Sequence, residues 1–143
     1  FTKLIICGHC GSGITADEKY KKLKDGTVSK YIYYGCCRSR DLYCKGGYMR
    51  EEELIAQLIR LLDKLDVNEF IISHKFREEV TRFQKFHRMV FGSAGPKTNQ
   101  PDIDTKTYAK YLLKEGSMTE KRELLSCIKS RLIIKNKILQ LQN

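Results

Sequence analysis

Five of the six cysteines in this 143-residue chain crowd into its first third, at Cys7, Cys10, Cys36, Cys37 and Cys44, while Cys127 stands apart near the end. Thiols at such spacings can do three things: hold a metal, cycle between thiol and disulfide, or cross-link a secreted scaffold. Cys7-Gly8-His9-Cys10-Gly11 is the most informative stretch. A Cys-x-x-Cys pair supplies two thiolates from one tight turn, and zinc takes four such ligands as a tetrahedron. Glycine directly after the second cysteine lets the backbone fold round so that N–H groups can point at sulfur. The redox alternative wants the pair at the start of a helix, where the dipole lowers a thiol pKa, and nothing helical is expected after Cys10. The disulfide alternative wants cysteines spread along a secreted chain. Here the opening run FTKLIIC reads as a strand rather than a charged leader, so no secretory signal is expected. Phe1 is not a methionine, and an upstream segment is therefore expected.

Only Cys36, Cys37 and Cys44 are placed to supply a second ligand pair. Their spacing is irregular and leaves the choice between the neighbours Cys36 and Cys37 open. His9 is an alternative ligand, although a histidine inside a knuckle more often faces solvent. Cys127 lies between apolar neighbours on an expected helix and reads as core.

The charge narrows the partners. Lys and Arg number 27 against 17 Asp and Glu, for a formal net charge of +10. By region the balance is +6 over residues 1–50, −1 over 51–92 and +5 over 93–143. Two basic ends on a near-neutral middle suit a polyanion, most often nucleic acid. No apolar run approaches the roughly 18 residues of a membrane span, so no membrane partner is expected. Lys19, Lys21, Lys22, Lys24 and Lys30 crowd one expected hairpin, and Arg38, Arg40, Lys45 and Arg50 flank the last cysteines. Lysines would mainly hold phosphates and arginines could read guanine edges; the plainer reading of each is a solvated surface charge.

The elements that must position these groups fall into three regions: residues 1–50, 51–92 and 93–143. In the first, two strands meet near Asp25-Gly26, a dipeptide suited to a tight turn. A β unit of about fifty residues buries little and generally needs a staple, which a metal can provide. In the second, Leu54, Leu58, Leu61 and Leu65 recur at helical spacing, widened by Ile55 and Leu62, behind an acidic first turn at Glu51–Glu53. Asp66 with Glu69 resembles a capping box for another helix running from about Asn68 to Phe91. Ile72, Phe76, Val80, Phe83 and Val90 mark its apolar side, and Gly92 ends it. These two stripes either pack within the chain or meet a partner subunit. In the third region, residues 93–101 hold both prolines and read as a linker. Asp104 is expected to cap a short helix ending at Gly116. Ser117 and Glu120 open another helix, to about Lys129. The β-branched segment from Leu132 to Leu141 is expected to close the chain as a hairpin turning at Lys135-Asn136, rather than to continue the helix.

In combination, CGHCGSGITADEKYKK, then YIYYGC, then CKGGYMREEEL resemble the zinc β-ribbon domain of large serine recombinases, of the resolvase/invertase family. The likeness covers about residues 1–65. The segment EKRELL at 120–125, followed by two short strands, resembles the C-terminal end of the same proteins. The resemblance implies an α+β chain: a small zinc β-ribbon (1–50), a helical segment with a shortened coiled coil (51–92), and short helices with a closing hairpin packed with the ribbon (93–143). It implies Zn2+ held by Cys7, Cys10, Cys36 and Cys44, and double-stranded DNA as partner, with other recombinase subunits as further partners. The catalytic serine of the family lies in an upstream domain, so no catalytic residue is expected here. The parent would be a site-specific recombinase integrating a mobile element in a bacterial or phage-infected cytoplasm. Two other readings stay open: a protein–protein interaction module using the helical stripes, and an unrelated zinc-ribbon nucleic-acid binder.

Overall fold

The computed structural model describes residues 1, 3–65, 74–91 and 101–142. Strands β1 (Ile5–Cys7), β2 (Ile14–Lys22), β3 (Val28–Cys36) and β4 (Met49–Arg50) precede helices α1 (Glu51–Lys64), α2 (His74–Phe91), α3 (Pro101–Glu115) and α4 (Met118–Ser126), and strands β5 (Arg131–Lys135) and β6 (Ile138–Gln142) close the chain. The class is α+β. Two compact units emerge: Phe1–Leu61 with Ser130–Asn143, and Leu62–Lys129.

The first unit holds two three-stranded sheets, ordered β1-β5-β6 and β2-β3-β4. β2 and β3 pair antiparallel from Ile14 opposite Cys36 to Lys22 opposite Val28. Residues 23–27 turn between them: Gly26 takes φ +87°, a region favouring glycine, and the Thr27 N–H donates to Asp25 Oδ1 at 2.9 Å. β1 pairs parallel with β5 in the register Ile5–Leu132. The expected closing hairpin is present, turning one residue later than expected at Asn136-Lys137. Both residues have positive φ, 52° and 60°, as a two-residue turn matched to strand twist requires. Gln57 on α1 clamps this hairpin, its Nε2 donating to Lys137 O at 2.9 Å and its Oε1 accepting the Leu139 N–H at 2.8 Å. Phe1 is buried and its ring centroid lies 5.5 Å from that of Tyr34. The Tyr34 hydroxyl donates to Glu51 Oε1, and burial pushes its pKa up.

Along α1 the buried stripe is Leu54, Leu58 and Leu62, continued by Leu65 just past its end, with Leu61 and Ile55 at its margin. In the second unit α2 packs on α3, with the Phe83 ring 5.2 Å from Tyr108 and 5.1 Å from Tyr111. Val80 is buried as its spacing suggests, whereas Val90 is exposed. The expected Asp66–Glu69 cap, the helix stretch 68–73, Gly92 and the 93–100 linker lie outside the described residues, as do the side chains of Ile72 and Phe76. α3 starts at Pro101, three residues before the expected cap Asp104; proline suits a first turn because the N–H it lacks has no helical partner there. The Ser117–Glu120 capping box is fully formed, with the Glu120 N–H donating to Ser117 Oγ and the Ser117 N–H to Glu120 Oε2. α4 stops at Ser126 rather than near Lys129. Cys127 is its C-cap, half-buried with its thiol donating to Glu123 O, rather than core.

Candidate metal centre

Four sulfurs converge in the first unit. Cys7 ends β1, Cys10 follows on the knuckle turn, Cys36 ends β3, and Cys44 lies on the loop before β4. Their Sγ atoms all lie within 4.8 Å of one another. Cys7 and Cys44 are 3.6 Å apart and Cys10 and Cys36 3.4 Å. Zinc–thiolate bonds of about 2.3 Å in a tetrahedron place sulfurs roughly 3.8 Å apart, so the arrangement fits one zinc ion without rebuilding the backbone.

The local sequence explains the convergence. Cys7 N–H donates to Ser12 O and Gly11 N–H to Cys7 O, both at 2.8 Å, which closes the knuckle. Gly11 makes this turn with φ +70°. Strand alternation decides between the neighbouring cysteines. Cys36 lies opposite Ile14, on the same side of β3 as buried Tyr34, and is itself buried. Cys37 points away, exposed, its thiol 3.3 Å from Ser39 Oγ.

Backbone donors finish the sulfur environment. Arg38 N–H donates to Cys36 Sγ at 3.3 Å and Gly46 N–H to Cys44 Sγ at 3.4 Å. Ser12, 1% exposed, places Oγ 3.1 Å from Cys10 Sγ and accepts the Arg40 N–H at 3.0 Å. The Ser12 hydroxyl, and then its N–H, hold the Cys10 thiol down at about 6. Burial pushes Cys36 up to about 12. Cys44 also lies above its ordinary value: the Gly46 N–H lowers it, and burial with the neighbouring sulfurs outweighs that. Metal binding at such thiols releases the protons they carry.

Two contributors went unrecognised in the sequence. Ser12 links knuckle and loop through one hydroxyl, and only its place after Cys-Gly hinted at this. Gly46 approaches the cluster so closely that a Cβ there would lie 3.1 Å from Cys7 Sγ. His9 is exposed and turned from the sulfurs, its Nε2 2.9 Å from Asn136 Oδ1.

The nine basic residues singled out in the sequence are all exposed. The register divides them. Lys19 and Lys21 lie opposite Tyr31 and Ser29 on one face of the hairpin, and Arg50, opposite Tyr33, shares it. Lys19 Nζ sits 5.5 Å from the centroid of the Tyr33 ring and Arg50 Cζ 5.9 Å from that of Tyr31. Lys22 and Lys30 lie on the other face, Lys30 paired with Glu18 at 2.7 Å. Lys24 rides the turn between the strands, and Arg38, Arg40 and Lys45 surround the last two clustered cysteines in the chain. None of the described helices is long and apolar enough to cross a membrane.

A search of curated proteins finds no match to the chain, and a search of solved structures finds none. A family model, the recombinase zinc beta ribbon domain, matches residues 1–63, the stretch that contains all four converging cysteines and the basic hairpin. Over those residues the chain is similar to the recombinase zinc beta ribbon domain.

Proposed function

We propose that this chain is a DNA-binding part of a site-specific serine recombinase, with Cys7, Cys10, Cys36 and Cys44 holding one structural Zn2+. The observation that carries the reading is a recombinase-type ribbon whose exposed hairpin, sulfur loop and strand β4 bear nine basic residues. Zinc, when bound, neutralises thiolates and fixes the knuckle to the loop; it performs no chemistry on DNA. In this reading Lys19, Lys21, Lys22, Lys24 and Lys30 meet phosphates of double-stranded DNA, and Arg38, Arg40, Lys45 and Arg50 hold the backbone or base edges nearest the metal. The whole protein would cut and rejoin DNA through a catalytic serine elsewhere, integrating a mobile element in a bacterial or phage-infected cytoplasm. The test is a salt titration with the zinc-loaded chain. If six of these cations meet phosphates, affinity falls by about three decades between 50 and 200 mM salt. A flat titration ends the proposal.

A second reading, contact with another recombinase subunit through a short coiled coil, draws on one observation: Phe86, Met89 and Val90 are exposed together at the end of α2. Light scattering across concentration separates the two, since a dimer indifferent to DNA belongs only to the second.

A further inference from the structure

The loop carrying Cys44 does something that metal binding alone does not require. Leu42 and Tyr43, adjacent at its tip, are 78% and 91% exposed, and Tyr43 is the most exposed large apolar side chain among the described residues. Single apolar side chains at a surface need no explanation. An adjacent pair on a fixed loop does, because the backbone could have turned either of them inward and is held from doing so. Arg38 N–H is tied to Cys36 Sγ, Arg40 N–H to Ser12 Oγ, and Tyr43 N–H to Asp41 Oδ1 at 2.9 Å. Cys44 N–H is tied to Asp41 O at 3.2 Å, and Arg38 takes φ +56° to enter the turn. Both ends of the loop close on the sulfur cluster.

Charge says what this tip faces. Arg38, Arg40 and Lys45 flank it and are exposed. The one acid between them, Asp41, already spends its Oδ1 on the turn. The occupant is therefore anionic on its outside and apolar within. A DNA duplex has that construction, two rows of phosphate around a stack of bases. A rigid apolar wedge between cations is how proteins enter a minor groove and part a base step.

We infer that Leu42 and Tyr43 form a wedge that enters the minor groove of duplex DNA and unstacks one base step, while Arg38, Arg40 and Lys45 hold the adjoining phosphates. This rests on the DNA-binding reading above and adds a source of sequence preference. TA and CA steps part most easily, whereas A-tracts are stiff. The wedge thus favours sites with a flexible step at the loop without hydrogen-bonding to any base.

The experiment uses the zinc-loaded full chain and two duplexes of about 30 base pairs, one with central TA steps and one with an uninterrupted A-tract. One central adenine in each is replaced by fluorescent 2-aminopurine, whose emission rises on unstacking. The expected result is a rise of about threefold at saturation on the TA duplex, and little on the A-tract. Leu42→Ala and Tyr43→Ala, separately and together, should abolish the rise and weaken TA binding by about tenfold. The dependence of affinity on salt should not change. Lys22→Ala with Lys24→Ala should do the reverse, lowering the salt dependence and leaving the rise intact at saturation. Retained zinc in each variant shows that the loop is folded. A rise that survives the double tip variant overturns the wedge. So does salt-dependent binding of the wild-type chain with no rise and no preference between duplexes, which leaves DNA binding standing. Binding to neither duplex at low salt overturns the DNA reading and the wedge with it.

Discussion

Residues 1–61 with 130–143 and residues 62–129 reach compactness by different routes. The first unit is closed by contacts distant in sequence: β1 pairs with β5, about 127 positions on, and four sulfurs from separate segments converge. Its long hairpin is largely exposed, with no buried residue between Thr15 and Tyr33. The second unit is helical. Its signals are local: a capping box at Ser117 and Glu120, buried Leu112-Leu113 and Leu124-Leu125, and a ring cluster around Phe83. One unit gathers four sulfurs from separate segments beside its apolar interior; the other has no described metal cluster and depends on burial.

The largest expected effect separates the two outright. Structural zinc in a small domain contributes on the order of 10 kcal/mol to folding. Chelation, or Cys44→Ser, should therefore abolish the strand signal in circular dichroism and expose the clustered thiols to a thiol reagent. Before chelation, Cys37 should react fast because it is exposed and its pKa is lowered by Ser39. The helical signal should largely persist. Loss of both signals together would mean that the two units stand or fall as one.

Leu113→Ala probes the other side. Leu113 is fully buried in α3, and emptying such a site costs about 2–5 kcal/mol. Urea titration should show that loss in the helical transition, while the four clustered thiols stay protected and zinc content stays unchanged.

The same contrast governs what was legible in the sequence. Ser117 and Glu120 announced their helix because the capping box is three residues long. Asp25-Gly26 announced its turn for a similar reason. The leucine spacing placed α1, and only Leu61 and Leu62 exchanged roles across its margin. The cysteine set was legible in type, but spacing could not choose Cys36 over Cys37, because pleat direction made that choice. The pairing of β1 with β5 left no mark on either strand, since a short apolar run does not name its neighbour. Pro101 outranked Asp104 as a helix start because its fixed φ suits the first turn.

Gln57→Ala should act at an intermediate scale and only on the first unit. It removes both partners of the β5–β6 turn, one donor and one acceptor. Part of the loss is recovered by water at this half-exposed position, so about 1–2 kcal/mol is expected. Gln57→Glu is the sharper variant: it keeps the acceptor for Leu139 N–H but sets an oxygen against Lys137 O. It should lose most of what alanine loses, and hydrogen exchange at Leu139 should be the measurement that tells them apart.

The smallest effect lies in the second unit and carries a pH signature. Ser117→Ala removes the N-cap of α4 and should cost about 1 kcal/mol. The Ser117 N–H, and then its hydroxyl, hold the Glu120 carboxyl below its ordinary 4.5. A carboxyl lowered by folding adds stability above that ordinary value and loses it as the pH falls through the lower, folded value. In the proposed zinc-bound state the sulfur cluster would also fail in acid, because protonated thiols release zinc, so acidification alone confounds the two units. Comparing the wild-type chain with Glu120→Gln removes the overlap. The zinc-linked loss is common to both proteins, and what remains is the cap. Helical stability of the wild type should exceed that of Glu120→Gln at neutral pH and converge on it as the pH falls through the lowered, folded value. A difference that persists unchanged into acid would assign Glu120 a packing role instead. The second unit would then owe its helix start to the Ser117 side chain alone.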